Sequence, residues 1–234
     1  MRQEPFLDSA YTTRCKNLSR ALNLLTGFLL ILAVENAGAE SRLLLGEFSR
    51  NQLDGWEQQG ADGETQYQLE KIGDLTVLKA NSQASASGMF KEQHIDLEKT
   101  PFINWSWRIS NRLYGLIEQT KAGDDYAARL YVVVKGGLAF WQTKAINYVW
   151  ASNTTKETVW PNAYAGEQLM MLALRGPEAP INVWHTEKRN VRADLQKLFG
   201  EDIRYIDAVA LMTDTDNSHS QASAFYGDIW FSRD

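Results

Sequence analysis

The sequence contains little cysteine, proline or histidine: one cysteine, five prolines and three histidines among 234 residues. The only cysteine, Cys15, lies near the amino terminus, so a scaffold held by disulfides is excluded for the rest of the chain. The three histidines, His94, His185 and His219, are scattered, and this spacing argues against a zinc site. With 44% hydrophobic and 23% charged residues, the composition excludes disorder, collagen and coiled coil.

The amino-terminal 39 residues differ from the rest of the chain. Three basic residues precede a mostly apolar run at positions 21–34, and Ala37-Gly38-Ala39 follows as a small-x-small sequence. This order predicts a secretory signal peptide over residues 1–39, followed by a single β-sandwich domain over 40–234. An uncleaved anchor is the alternative, but the run is shorter than the roughly 20 apolar residues that span a membrane. We therefore expect a periplasmic or secreted bacterial protein without a transmembrane span after cleavage.

The expected mature chain has no cysteine and a negative charge. Residues 40–234 carry 20 basic and 26 acidic side chains, a net charge of −6, which argues against nucleic acid as a partner. Without cysteine, neither a disulfide nor a lipid anchor on a lipobox cysteine is available. The domain must be stabilised by its core, and a chain near this size buries enough surface to do so.

Short apolar runs separated by turn residues dominate the chain after Leu43, and long stretches of helical period are missing. This pattern predicts an all-β fold, a two-sheet β-sandwich or jelly roll with one or two short helices. The expected strands are Leu43–Phe48, Thr65–Glu70, Leu75–Ala80, Ser85–Phe90, His94–Leu97, Phe102–Ile109, Ala128–Val134, Ala145–Ala151, Leu169–Ala173, Asn182–Glu187, Ile206–Thr213 and Ser223–Phe231.

Two segments give more detailed predictions. Phe102–Ile109 alternates strictly, which places Ile103, Trp105, Trp107 and Ile109 on one buried face. Residues 191–199 have the period of a helix, with Asn190 as N-cap and Gly200 just past the carboxyl end. A second short helix is expected over 111–121.

Aromatic residues are abundant: positions 40–234 contain eight Trp, eight Tyr and seven Phe. Core packing is the general explanation for aromatic residues in a β-sandwich. Rings near turns can instead stack on the apolar faces of sugars, and the candidates for this role are Trp141, Trp150, Trp160 and Tyr164.

Acidic and amide residues gather near the predicted strand ends: Asp124 and Asp125, then Asp214, Asp216 and Asn217. Oxygen ligands in irregular backbone suit calcium, and Asp214, Asp216 and Asn217 are the predicted metal ligands. The alternative is that these side chains end the strands through local hydrogen bonds to the backbone.

The same carboxylates allow a catalytic hypothesis. Asp214 with Asp216, or Asp124 with Glu187, would serve as a general acid/base pair for glycoside cleavage. A nucleophilic mechanism is not indicated, since the chain has no Gly-x-Ser-x-Gly sequence. Arg189 is a candidate for binding an acidic glycan, and the competing interpretation of its segment is a capped helix start with surface salt bridges.

Several sequence blocks, in this order, resemble the signature of a secreted bacterial family of unknown function, domain-of-unknown-function family 3047. The blocks are Trp105–Arg108, Lys121–Arg129, Asn147–Trp150, Glu187–Val191, Met212–Asn217 and Tyr226–Ile229. The resemblance gives no activity, but it implies that the polar residues within the blocks lie together at one end of the sandwich. The chain from Phe48 to Gly88 is also loosely similar to galactose-binding-like jelly rolls.

The function expected from these features is non-catalytic binding of a carbohydrate or envelope glycan. A glycan-active hydrolase or lyase and a structural envelope or protein-interaction module are the alternatives, and calcium is the only cofactor suggested. The predicted ligand-binding residues are Asp124, Asp125, Arg129, Trp150, Glu187, Arg189, Asn190, Asp214, Asp216, Asn217 and Asp228.

Overall fold

A computed structural model describes residues 42–137 and 142–234. The predicted signal peptide and Trp141 lie outside these residues, so both stay predictions. The described chain forms 14 strands and one α-helix, and none of its helices is long and apolar enough to cross a membrane. The strands are β1 Leu43–Gly46, β2 Glu57–Asp62, β3 Gln66–Ile72, β4 Leu75–Gln83, β5 Ala86–Asp96, β6 Phe102–Ile109, β7 Arg129–Val134, β8 Lys144–Trp150, β9 Val159–Asn162, β10 Gly166–Arg175, β11 His185–Asn190, β12 Tyr205–Asp214, β13 Gln221–Tyr226 and β14 Ile229–Ser232.

The strands form two seven-stranded sheets that pack into a sandwich, which confirms the predicted fold class. Sheet A has the order β1-β14-β6-β13-β4-β3, with β11 also paired to β6. Sheet B has the order β2-β5-β12-β7-β8-β10-β9. Its pairings are antiparallel except for the parallel pair of β8 and β10.

The core between the sheets is built on alternating strand residues. Trp105 and Trp107 of β6 are fully buried, as are Ile103 and Ile109, which confirms the predicted inward face. Trp105 packs against Tyr148 of β8, with 5.7 Å between their ring centroids. Each large apolar side chain buried in this way contributes roughly 1.5–3 kcal/mol to folding.

The segment predicted as one strand over Ser223–Phe231 is divided into β13 and β14. Both strands pair with β6, and one extra residue lies between their registers at Gly227 and Asp228. A Cβ atom at Gly227 would meet the Ser106 hydroxyl oxygen, so a larger residue at this bulge would force the Ser106 side chain to rotate away. The bulge also turns Asp228 toward Ser49, whose amide donates to its carboxylate at 2.8 Å.

Helix α1, Val191–Phe199, forms as predicted. The Asn190 carboxamide accepts a hydrogen bond from the Ala193 amide at 3.0 Å, and Gly200 adopts the left-handed conformation with φ 72°. The second predicted helix, over 111–121, does not form: this segment is irregular and ends in a 3-10 turn at Lys121–Gly123. Tertiary hydrogen bonds from residues 152–154 to Glu118 fix that irregular path.

Two edge strands, β2 and β9, were not predicted. The β2 sequence is mostly polar and lacks an alternating apolar pattern, while β9 contains Pro161, a residue that sheets accept mainly at their edges. Both strands pair on one side only, with β5 and β10 respectively. Their existence therefore depends on a neighbouring strand more than on their own sequence.

Candidate functional site

The outer face of sheet B carries an open groove. Its floor consists of small residues on adjacent strands, Gly88 and Ala86 of β5 and Ala210 of β12. The groove has a volume of about 280 Å³. Phe90 and Tyr131 pair with Ala210 from opposite sides, so their Cα atoms are two strand spacings, about 10 Å, apart. Both side chains are half-buried. The groove thus combines a flat floor with two partly exposed aromatic rings.

Tyr131 connects the groove to a buried arginine. The Arg129 guanidinium carbon lies 5.6 Å from the centroid of the Tyr131 ring and 5.0 Å from that of Tyr126. Burial raises the pKa of the Tyr131 phenol, and Arg129 opposes this shift. The phenol therefore stays protonated at neutral pH, and it donates a hydrogen bond to the Met212 sulfur at 3.7 Å.

An acidic cluster lies at the end of the groove next to Arg129. We define it as Asp124, Asp125, Asp214 and Asp216. The Arg129 guanidinium donates to the Asp214 carboxylate, and the two side chains are only 5% and 1% exposed. A second oxygen of Asp214 accepts from the backbone amide of Tyr126 at 3.2 Å. This ion pair is therefore shielded from solvent.

Asp125 holds the loop that follows β12. It is fully buried and accepts hydrogen bonds from the backbone amide and the side-chain amide of Asn217, at 3.2 and 3.1 Å. The Ser218 amide donates to its other oxygen at 2.6 Å. Asp125 thereby fixes the position of Asp216, the neighbour of Asn217 in the chain.

Asp124 lies between Arg129 and Asn162. Its two oxygens are 3.8 Å from an Arg129 nitrogen and 3.0 Å from the Asn162 side-chain amide. Burial raises the pKa of Asp124, while Arg129 acts in the opposite direction. Asn162 also accepts from the amides of Tyr164 and Ala165, and so links the acidic cluster to the loop after β9.

The acidic cluster has more negative than positive charge. Its four carboxyl groups face one guanidinium, that of Arg129. Burial, and then the nearby Asp125 carboxylate, raise the pKa of Asp216. A proton or a bound cation would relieve this repulsion.

Three of the carboxylates are arranged so that they could share a cation. Asp125, Asp214 and Asp216 each offer one oxygen, and these oxygens lie within 4.8 Å of one another. Carboxylate oxygens are the ligands that calcium prefers. Of the predicted calcium ligands, Asp214 and Asp216 belong to this group, whereas the Asn217 side-chain oxygen accepts a hydrogen bond from the Tyr164 hydroxyl at 2.6 Å.

Calcium is expected to raise the thermal stability of the protein if this site binds it. A ligand that binds only the folded state stabilises it by about 2.7 kcal/mol at 100 times its dissociation constant. Melting curves in excess calcium and in EDTA measure the effect. Asp216→Asn should reduce it, whereas Asp62→Asn, an exposed carboxylate outside the cluster, should not. Identical melting curves in calcium and EDTA would remove calcium as a ligand.

The other predicted ligand-binding residues lie elsewhere. Trp150 is fully buried in the core, with its ring 5.0 Å from that of His185, because alternation along β8 points it inward. Glu187 is also buried, where its carboxylate accepts from the Trp107 indole at 2.9 Å and from Arg175 at 2.6 Å. Neither side chain faces the groove.

Arg189, Asn190 and Asp228 have local partners. Arg189 binds both oxygens of Asp194, at 2.7 and 2.9 Å, Asn190 caps helix α1, and Asp228 binds Ser49. The capped helix with salt bridges is thus the observed arrangement at Arg189. Of the eleven predicted residues, the structure brings together six: Asp124, Asp125, Arg129, Asp214, Asp216 and Asn217.

Two of the predicted stacking aromatics border the acidic cluster. Trp160 is 6% exposed and belongs to a small apolar cluster with Tyr126 and Met171. Tyr164 is 58% exposed, and its hydroxyl donates to Asn217. Tyr164 is therefore the one of the two that a ligand can reach.

The sequence interpretation missed Phe90, Tyr131 and Asn162. The alternation of Leu130, Tyr131 and Val132 did contain a signal, since it places the tyrosine on the face opposite two core residues. It does not reveal which side chains lie beside Tyr131, because those belong to β5 and β12.

Comparisons with known proteins place the fold in context. The model of a family described as Protein of unknown function (DUF3047) matches residues 54–230, whereas no curated protein matches the chain. The family 11 carbohydrate-binding module of a Clostridium thermocellum cellulase has 9% identity and a TM-score of 0.44, with 84% of this chain and 96% of that chain covered. The xyloglucanase domain of a Sinorhizobium fredii effector has 10% identity and a TM-score of 0.44, with coverages of 78% and 96%. These values are too low to transfer a function.

Proposed function

We propose that this chain, which belongs to the DUF3047 family of unknown function, binds a carbohydrate in the groove of sheet B. The observation that carries the proposal is the pair of half-buried rings, Phe90 and Tyr131, on either side of the Gly88 and Ala210 floor. Aromatic rings of this kind give a large contact area at low entropic cost. The apolar faces of pyranose rings match them in shape and polarity.

Polar groups at the edge of the groove supply hydrogen bonds to sugar hydroxyls. A second cleft of about 420 Å³ shares Gly60 with the groove as a lining residue and is otherwise lined by Gln58, Asp62, Glu64 and Ser87. Amide and carboxylate side chains are suited to bind hydroxyl groups, because they accept and donate in fixed directions. Since β2 is an edge strand, a ligand held between the two rings can extend around it into this cleft.

The geometry favours binding over catalysis. Asp125 and Asp214 are buried, and all four of their carboxylate oxygens already accept protein hydrogen bonds. Such groups stabilise the loop instead of attacking a substrate. Glycoside hydrolysis is the second candidate, favoured by the raised pKa of the half-buried Asp216, which is the property of a general acid.

A single assay separates these functions. The purified protein is incubated with insoluble polysaccharides and peptidoglycan, and the supernatant is tested for remaining protein and for released sugar. Depletion without products supports binding, whereas products that disappear in Asp216→Asn support hydrolysis. If the supernatant shows neither loss of protein nor released sugar, binding and hydrolysis are both contradicted. That result would favour a structural or protein-binding module.

Tyr131→Ala is expected to weaken binding to the retained polysaccharide at least tenfold. Central aromatic contacts in binding sites often contribute more than 1–2 kcal/mol, and each 1.4 kcal/mol corresponds to a factor of ten. Depletion isotherms measure the change. Tyr114→Ala is the matched control, because Tyr114 is 77% exposed and does not line the groove. Equal affinity for the wild-type protein and Tyr131→Ala would place the site elsewhere.

A further inference from the structure

The outer face of sheet A combines aromatic rings with cations. The Arg108 guanidinium carbon lies 4.1 Å from the centroid of the Phe225 ring and 5.6 Å from that of Trp184. The Lys188 ammonium lies 4.9 Å from the centroid of Phe102. Two further pairs continue the pattern: Lys79 over Phe225 and Arg42 over Trp230, each at 5.6 Å.

These residues share one face because of the strand registers. Arg108 pairs with Phe225 across β6 and β13, and Phe225 pairs with Lys79 across β13 and β4. Lys188 pairs with Asn104 across β11 and β6. Since directly paired residues point to the same side of a sheet, the cations form one surface, which we call the basic face.

Two cations of the basic face differ from Lys79 in having no salt-bridge partner among the described residues. Lys79 is paired with Glu70 at 2.8 Å. Neither Arg108 nor Lys188 forms a salt bridge with any residue in the described parts of the chain. Uncompensated cations on a chain of net charge −5 attract an anionic partner locally.

We propose that the basic face binds an anionic polysaccharide through its carboxylate groups. Planar guanidinium groups bind carboxylates through two parallel hydrogen bonds, and the packing of Arg108 on Phe225 restricts its orientation before a ligand arrives. A lipid bilayer fits less well, because the Phe225 ring is only 5% exposed beneath its cations and cannot insert.

This site is independent of the groove, since it lies on the other sheet. The Lys188→Gln and Arg108→Gln double variant should bind polygalacturonate about tenfold more weakly than the wild-type protein at low salt. Wild-type binding should be lost at 1 M salt, where charges are screened beyond about 3 Å. Lys197→Gln, an equal change of charge at an exposed position on helix α1, is the control and should bind normally.

Several outcomes would overturn the proposal: no binding of polygalacturonate by the wild-type protein, an equal loss in Lys197→Gln, or tighter binding of duplex DNA or of phosphatidylglycerol vesicles. The single variant Lys188→Gln should bind polygalacturonate about threefold more weakly than the wild-type protein. Because Lys188 is exposed, this variant is expected to fold normally and so controls for misfolding of the double variant. The Lys188→Gln and Arg108→Gln double variant should bind the uncharged polysaccharide retained by the groove as tightly as the wild-type protein does. That result separates a failure of the basic face from a failure of the groove.

Discussion

Arg129→Ala should lower the free energy of unfolding by about 3–5 kcal/mol, because it leaves a buried carboxylate without its cation. Arg129 and its partner Asp214 are 5% and 1% exposed, so water cannot replace the lost guanidinium. Asp124, 3.8 Å from Arg129, loses its cation as well. Urea denaturation at neutral pH measures the loss.

Arg192→Ala provides the control for this experiment. Arg192 also forms two hydrogen bonds to a carboxylate, that of Asp202, at 2.7 and 2.8 Å. These side chains are 30% and 56% exposed, and because solvent screens such exposed pairs, Arg192→Ala should lower the free energy of unfolding far less than Arg129→Ala. If Arg129→Ala costs less than about 0.5 kcal/mol, the acidic cluster does not depend on Arg129, and its role as a structural anchor is refuted.

The pH dependence of Arg129→Ala provides a further check. Burial already raises the pKa of Asp124 above its ordinary value, and Arg129 opposes that shift. Removing the guanidinium must therefore raise the folded-state pKa further. A carboxyl group whose folded pKa exceeds its unfolded pKa favours the folded state as the pH falls. The stability deficit of Arg129→Ala should thus be smaller in mildly acidic solution than at neutral pH.

Local sequence patterns predicted those parts of the fold that depend on residues close together in the sequence. The inward face of β6 follows from strict alternation, and helix α1 follows from its apolar period, the Asn190 cap and Gly200. Strand β2 depends instead on pairing with β5, and the segment at 111–121 follows contacts with residues 152–154. Such partners are distant in sequence, so local patterns do not reveal them.

The same distinction applies to the candidate site. Arg129 and Asp214 are 85 residues apart and meet because β7 pairs with β12. The sequence identified Asp214 as an acidic residue near a strand end, and the family resemblance placed Arg129 in one group with it. The resemblance also placed Glu187 and Asp228 in this group, but the structure pairs Glu187 with Trp107 and Asp228 with Ser49. The groove was not predicted, because Phe90 and Tyr131 become neighbours only across an intervening strand.

Glu118 controls the irregular segment in place of the helix expected at 111–121. Its carboxylate is 1% exposed and accepts hydrogen bonds from three consecutive backbone amides, those of Ser152, Asn153 and Thr154, at 2.6, 3.3 and 2.8 Å. The Tyr126 hydroxyl donates to the Glu118 carbonyl at 3.1 Å. The buried Glu118 carboxylate therefore joins two loops, while the backbone carbonyl of the same residue holds Tyr126, whose ring contacts Arg129.

Glu118→Ala should lower the free energy of unfolding by about 3 kcal/mol, since hydrogen bonds to a charged group contribute roughly 1.5–3 kcal/mol each and the amides left unpaired add a desolvation cost. Glu118→Gln should lose less, because its amide keeps one accepting oxygen. Glu167→Ala, at an exposed position, should change stability by less than about 0.5 kcal/mol. Equal urea midpoints for Glu118→Ala and Glu167→Ala would show that the two loops do not need the carboxylate. A loss confined to Glu118→Ala would instead show that it anchors the irregular segment to the loop after β8.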